Sequence, residues 1–149
     1  MLIRQILISL MLAAALATTA TAQLSATTQP PGPEATVRAN LDAFNRQDVE
    51  ALVATVAEDF VWYNVDGDKL LPETRGREAL RKGMQSYFKS LPSARSSAEV
   101  LTVNGDFVSI RERATWKNNA GESASQAAIG VYEVREGLIR RVWYFPAQK

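Results

Sequence analysis

The sequence predicts an α+β fold, with three N-terminal helices packed on a mainly antiparallel sheet. Three observations predict it. Apolar residues recur at helical spacing in three stretches before Pro92. The stretches from Ala98 onward are instead rich in β-branched and aromatic residues. Turn sequences separate those later stretches at short, regular intervals, as a meander requires.

The first helix opens at Glu34, where Val37, Leu41 and Phe44 fall at i, i+4 and i+7 on one face. Asn45-Arg46-Gln47-Asp48 breaks the run, and Asp48 can cap a second helix carrying Val49, Leu52, Val53 and Val56. Phe60 to Val65 reads as a strand, Asp66-Gly67-Asp68 as a turn, and "KLLPET" as a short edge strand. A third helix over Arg77–Leu91 buries Leu80, Met84, Phe88 and Leu91, and Pro92 ends it. Ala98–Val103 and Phe107–Trp116 flank Asn104-Gly105, a strong hairpin signal. Asn118–Gly121 turns into the strand Ser125–Val134, and Arg135-Glu136-Gly137 into the strand Leu138–Phe145.

The N-terminus has a different character. Arg4, the apolar run Ile6–Ala17 and the small residues Ala20-Thr21-Ala22 form the pattern of a cleaved secretory signal peptide over residues 1–22. The run falls short of the roughly 20 apolar residues that a spanning helix needs, so no stable membrane anchoring is expected after cleavage. Residues 23–33, ending in a proline cluster, read as a flexible linker, and 34–146 as the folded domain. Removing 22 of 149 residues leaves 127 and takes Lys+Arg from 17 to 16, equal to the 16 Asp+Glu. A balanced chain gives no electrostatic reason to expect nucleic acid as a partner. The chain contains no cysteine and no histidine. Thiolate and imidazole metal sets and Ser-His-Asp or Cys-His systems are therefore excluded, and no metal or cofactor is expected. Without cysteine there is no lipid attachment either, so the product is expected in a periplasm or outside the cell.

Three stretches carry a resemblance to a known family. They are "FNRQDVEALVATVAEDFVW", "RGREAL" and "VYEVREGLIRRVWYF", in that order. Together they resemble a SnoaL-like domain of the nuclear transport factor 2-like superfamily, over roughly Glu34 to Pro146. The resemblance implies that the sheet curves around the helices into a cone-like half-barrel with an internal pocket, commonly in a homodimer. The family includes ketosteroid isomerase, polyketide cyclases and dehydratases beside members that only bind, so the fold does not decide the activity. In the isomerase branch, the first-helix tyrosine falls on Asn40, the general-base aspartate on Asn64, and the protonated aspartate of the oxyanion hole on Gly130. An amide cannot take a proton at neutral pH and glycine has no donor, so that mechanism is not expected here.

The residues themselves offer other candidates. Alternation puts Phe60, Trp62 and Asn64 on one strand face and Val61, Tyr63 and Val65 on the other. Asn64 either orients a ligand or satisfies the backbone of the neighbouring turn. Asn40, among the apolar positions of the first helix, either faces a cavity or touches water at the edge of the stripe. Glu112 shares an otherwise apolar strand face with Val108, Ile110, Ala114 and Trp116. If that face lines the pocket, Glu112 is a carboxylate in low dielectric with a raised pKa, fit for acid–base work. Otherwise it pairs with Arg140 or Arg141 across the sheet, or faces away. Tyr63, Met84, Tyr87, Trp116, Tyr132 and Trp143 are either core or pocket lining. The expectation is an exported protein that binds a small, mostly apolar or aromatic molecule. The alternatives are a lyase, cyclase or isomerase acting on a carbonyl compound through Glu112, and a dimeric interaction module.

Overall fold

A computed structural model of the chain describes residues 29–149. The expected signal peptide, and residues 23–28 of the expected linker, lie outside the described residues. The described chain has three helices: α1 (Pro33–Arg46), α2 (Val49–Ala54) and, after two strands, α3 (Gly76–Ser90). The strands are β1 (Val56–Asp66), β2 (Lys69–Arg75), β3 (Arg95–Asn104), β4 (Phe107–Lys117), β5 (Ser123–Arg135) and β6 (Leu138–Tyr144). They form one curved, unclosed sheet in the order β2-β1-β6-β5-β4-β3. Every pairing is antiparallel except β1 with β6.

Local chemistry accounts for most boundaries. Gln47 ends α1 in the left-handed region, and Asp48 caps α2 by accepting from the Ala51 N–H at 2.9 Å. Thr55 closes α2 by donating its hydroxyl to the Leu52 carbonyl at 2.7 Å. Val56 therefore begins β1 instead of extending α2, although its spacing from Leu52 and Val53 fits a helix. Tertiary pairing decides it: the Ile139 N–H donates to the Thr55 carbonyl at 2.9 Å and Val56 registers with Ile139. The end of the expected linker is also placed by packing. Pro30 and Pro31 lie against Gly137, where an added Cβ would come within 2.9 Å of Pro31, and Pro33 already belongs to α1.

Register irregularities at Trp62/Tyr63, Ala98/Val100 and Glu133/Val134 accompany the curl of the sheet. The concave face carries Val108, Ile110, Tyr132 and Val142, which pack with Val37, Leu41, Leu52 and Leu80 from the helices. At the "RGRE" stretch, Gly76 takes a φ of +78°, and Arg77 donates to the Val56 carbonyl at 2.8 Å and to Glu58 at 2.6 Å. That clamp fixes where α3 leaves the sheet, and so where Leu80 and Met84 meet the interior.

Candidate functional site

The helices do not fill the cone. An inner compartment of about 70 Å³ lies under α1, α2 and α3, lined by residues that include Asn40, Phe60, Leu80 and Tyr132. An outer compartment of about 400 Å³ adjoins it and reaches Asn64, Tyr87, Gln126 and the segment Phe145–Ala147. Phe44, Trp62, Met84, Glu112 and Tyr144 border both, so the two compartments meet at these five side chains.

Register brings this set together. Ile110 pairs with Gly130, and Gly130 with Tyr144, so those positions lie in one row across β4, β5 and β6. Asn64 on β1 continues that row beyond Tyr144. Gly130 is buried, and a Cβ there would sit 3.1 Å from Tyr144 Cε1 and 3.2 Å from Tyr132 Cε2. The two tyrosine rings occupy the space that a side chain at 130 would need.

Their hydroxyls converge on Glu112. Tyr144 donates to Glu112 Oε2, Tyr132 lies 3.5 Å from the same oxygen, and the two hydroxyls bond each other at 2.5 Å. Ser96 donates to Oε1. Ser96 is itself held by Asn45 of α1, which accepts from the Ser96 N–H at 2.7 Å and donates to its carbonyl at 2.8 Å. Burial, reinforced by the Glu112 charge, holds the Tyr132 hydroxyl well above the usual tyrosine range. Burial and then the neighbouring Tyr132 and Glu112 do the same for Tyr144. Tyr87, on α3, is raised by burial and by Glu112. All three phenols remain protonated donors at neutral pH. Among the described residues Glu112 makes no ion pair: Arg140 pairs with Asp59 and Glu136, and Arg141 with Glu133.

The two asparagines have defined partners. Asn40 donates to Thr55 Oγ1 at 2.7 Å from the inner compartment wall. Asn64 borders the outer compartment and donates to Glu73 on β2 at 3.0 Å, so it does not serve the adjacent turn backbone. Trp62 packs on Tyr144 with ring centroids 5.2 Å apart. Its Nε1 is the one buried side-chain polar atom without a partner among the described residues.

Three expected lining residues lie elsewhere. Tyr63 and Trp143 stack on each other at 6.2 Å, with Phe107 beside Trp143, on the convex face. The pleat decides this, because Trp62 and Tyr144, their chain neighbours, point into the cone. Trp116 does share a pleat face with Glu112, but β4 runs past the rim. Four residues of strand carry it about 13 Å away, into a separate surface groove with Ser93 and Lys117. Tyr144 and Ser96 are hydrogen-bonding neighbours of Glu112 that sequence reasoning missed. A glycine inside a strand, flanked by apolar residues, was the available signal that something packs closely there.

The sequence profile of the SnoaL-like domain matches residues 37–142. The chain belongs to the SnoaL-like family. This SnoaL-like chain is similar in fold to an uncharacterised cystatin-fold protein from Novosphingobium aromaticivorans, with 24% identity and a TM-score of 0.67 over 78% of this chain and 99% of the other. It is similar also to IdmH from Streptomyces antibioticus, described as "a putative polyketide cyclase" (23% identity, TM-score 0.66, 78% and 91% covered). A nuclear transport factor 2-like protein of unknown function from Cytophaga hutchinsonii is a third, at 15% identity and a TM-score of 0.59 over 78% and 100%. At such identities the likeness speaks to the fold alone. A search among curated proteins gave no match.

Proposed function

We propose that this SnoaL-like chain is exported, loses residues 1–22, and binds a small, mostly apolar molecule inside the cone. The observation that carries the reading is the junction of the two compartments, where Phe44, Trp62, Met84 and Tyr144 surround a single carboxylate. Such a concave, largely apolar site with few convergent polar groups is the usual form of a small-molecule pocket. Asn40, Trp62, Asn64, Met84 and Tyr87 are the lining residues we assign to it, with Tyr144 added. Glu112 already accepts from Ser96 and two tyrosines, an arrangement that suits a fixed wall of the site better than a free base.

Native mass spectrometry of the chain purified from its exported compartment tests the proposal. A mass increment that is lost on denaturation is the expected result. A chain that carries nothing, and acquires nothing from a concentrated extract of its own cells, would refute it.

A second reading is favoured by one observation: Glu112 borders both compartments without a basic partner. In a lyase, cyclase or isomerase acting on a carbonyl compound, Glu112 would exchange a proton with substrate directly or through Tyr144. Glu112→Gln separates the readings, since it would abolish turnover in an enzyme and leave the pocket of a binder able to take up an uncharged apolar probe. Homodimerisation is proposed on the convex face, where Phe107 is exposed beside the Tyr63–Trp143 stack. Sedimentation of Trp143→Ala against the unaltered chain tests that part.

A further inference from the structure

The chain treats its two most enclosed glutamates differently. Glu133 is buried and held by two guanidiniums, Arg141 at 2.8 Å and Arg135 at 2.9 Å. Among the described residues Glu112 has hydroxyls around it but no cation, and it faces a cavity instead of the sheet surface. Glu112 is half-buried, and carboxylates withdrawn from water are normally paired as well as hydrogen-bonded.

Among the described residues no lysine or arginine lines either compartment, so nothing in these walls supplies a positive charge. An anionic ligand would meet Glu112 without a compensating group. The remaining walls of the outer compartment include the rings of Phe44, Trp62, Tyr87 and Tyr144. Aromatic faces attract an ammonium group, most strongly where it is partly desolvated.

We infer that the ligand is a hydrophobic amine, whose ammonium group completes the charge pairing of Glu112 while its apolar body fills the outer compartment. The inference rests on the reading of the cavity as a small-molecule site and adds the chemical class. It also assigns Glu112 as the residue that selects for charge. Asn64 and Gln126, at the outer end, are uncharged and leave that selection to Glu112.

Three probes of similar size and different charge test it by calorimetry on the full processed chain: phenethylamine, propylbenzene and phenylacetate. The expected order is phenethylamine first, propylbenzene at least about tenfold weaker, and phenylacetate weakest. In Glu112→Gln the preference for the amine over propylbenzene should disappear. Propylbenzene or phenylacetate binding as tightly as the amine in the unaltered chain would overturn the inference and leave the pocket reading standing. Failure of all three probes would instead refute the pocket reading on which the inference depends. Because the probe series uses the unaltered chain, the result stands even if the variant does not fold.

Discussion

Gly130→Ala adds one methyl group at the tightest point of the site. Its Cβ would meet Tyr144 Cε1 at 3.1 Å, Tyr132 Cε2 at 3.2 Å and Tyr144 Cζ at 3.2 Å. These are closer than ordinary van der Waals contact, so a ring must move by a few tenths of an ångström. Neither ring is free to do so, because both hydroxyls are tied to Glu112 and to each other, and Tyr144 also packs on Trp62. Overpacking of this kind costs about 1–3 kcal/mol. The smaller entropy of an unfolded alanine chain offsets roughly 0.4–1 kcal/mol of that. The net destabilisation should be about 1–2 kcal/mol, a fall in melting temperature of roughly 4–8 °C. Denaturant unfolding of the single variant, of Tyr144→Leu and of the double variant measures it as a cycle. The alanine should cost less by at least about 0.5 kcal/mol once the Tyr144 ring is gone. A neutral or stabilising Gly130→Ala, or full additivity with Tyr144→Leu, would refute the claim that these rings are fixed by Glu112.

Glu112→Ala removes the acceptor shared by Ser96 and Tyr144, and chemical denaturation should show a loss of about 1–3 kcal/mol as buried hydroxyls go unpaired. Asp48→Ala deletes the cap of α2 and should cost about 0.5–2 kcal/mol by the same measurement, with no effect on the cavity. The raised tyrosines link stability to alkaline pH. Their contribution is complete below the ordinary tyrosine value of 10.0 and is lost as pH rises toward their folded values, because the unfolded chain ionises first. Thermal melts across that range should fall less steeply for the Tyr132→Phe, Tyr144→Phe double variant than for the unaltered chain.

What could be read from the sequence depended on the distance over which each feature is decided. The Asp48 cap, the stripe of Val37, Leu41 and Phe44, and the Asn104-Gly105 hairpin are local, and the structure contains all three. The family resemblance likewise named the curved sheet on helices, because an ordered set of local patterns carries it. The end of α2 is not legible at Val56, since a contact with Ile139 far along the chain overrides the helical spacing. The partners of Glu112 required the register of β4 on β5 and of β5 on β6 together, which no short window contains. Tyr63 and Trp143 show the opposite lesson. Alternation alone already set Tyr63 against Trp62, and pocket residues drawn from both faces of one strand cannot all face the same cavity.

Met84 offers the sharpest test that the cone is a binding site. The sequence has methionine only at positions 1, 11 and 84, so the processed chain would retain Met84 alone. Its side chain borders both compartments, among the rings of Phe44, Trp62 and Tyr144. Methyl-labelled methionine should therefore give one signal, assigned by its loss in Met84→Leu, that reports directly on the cavity. Titration with phenethylamine and with propylbenzene should move that signal saturably as a further aromatic ring enters. A methyl signal that stays in place with both compounds up to their solubility would contradict the account.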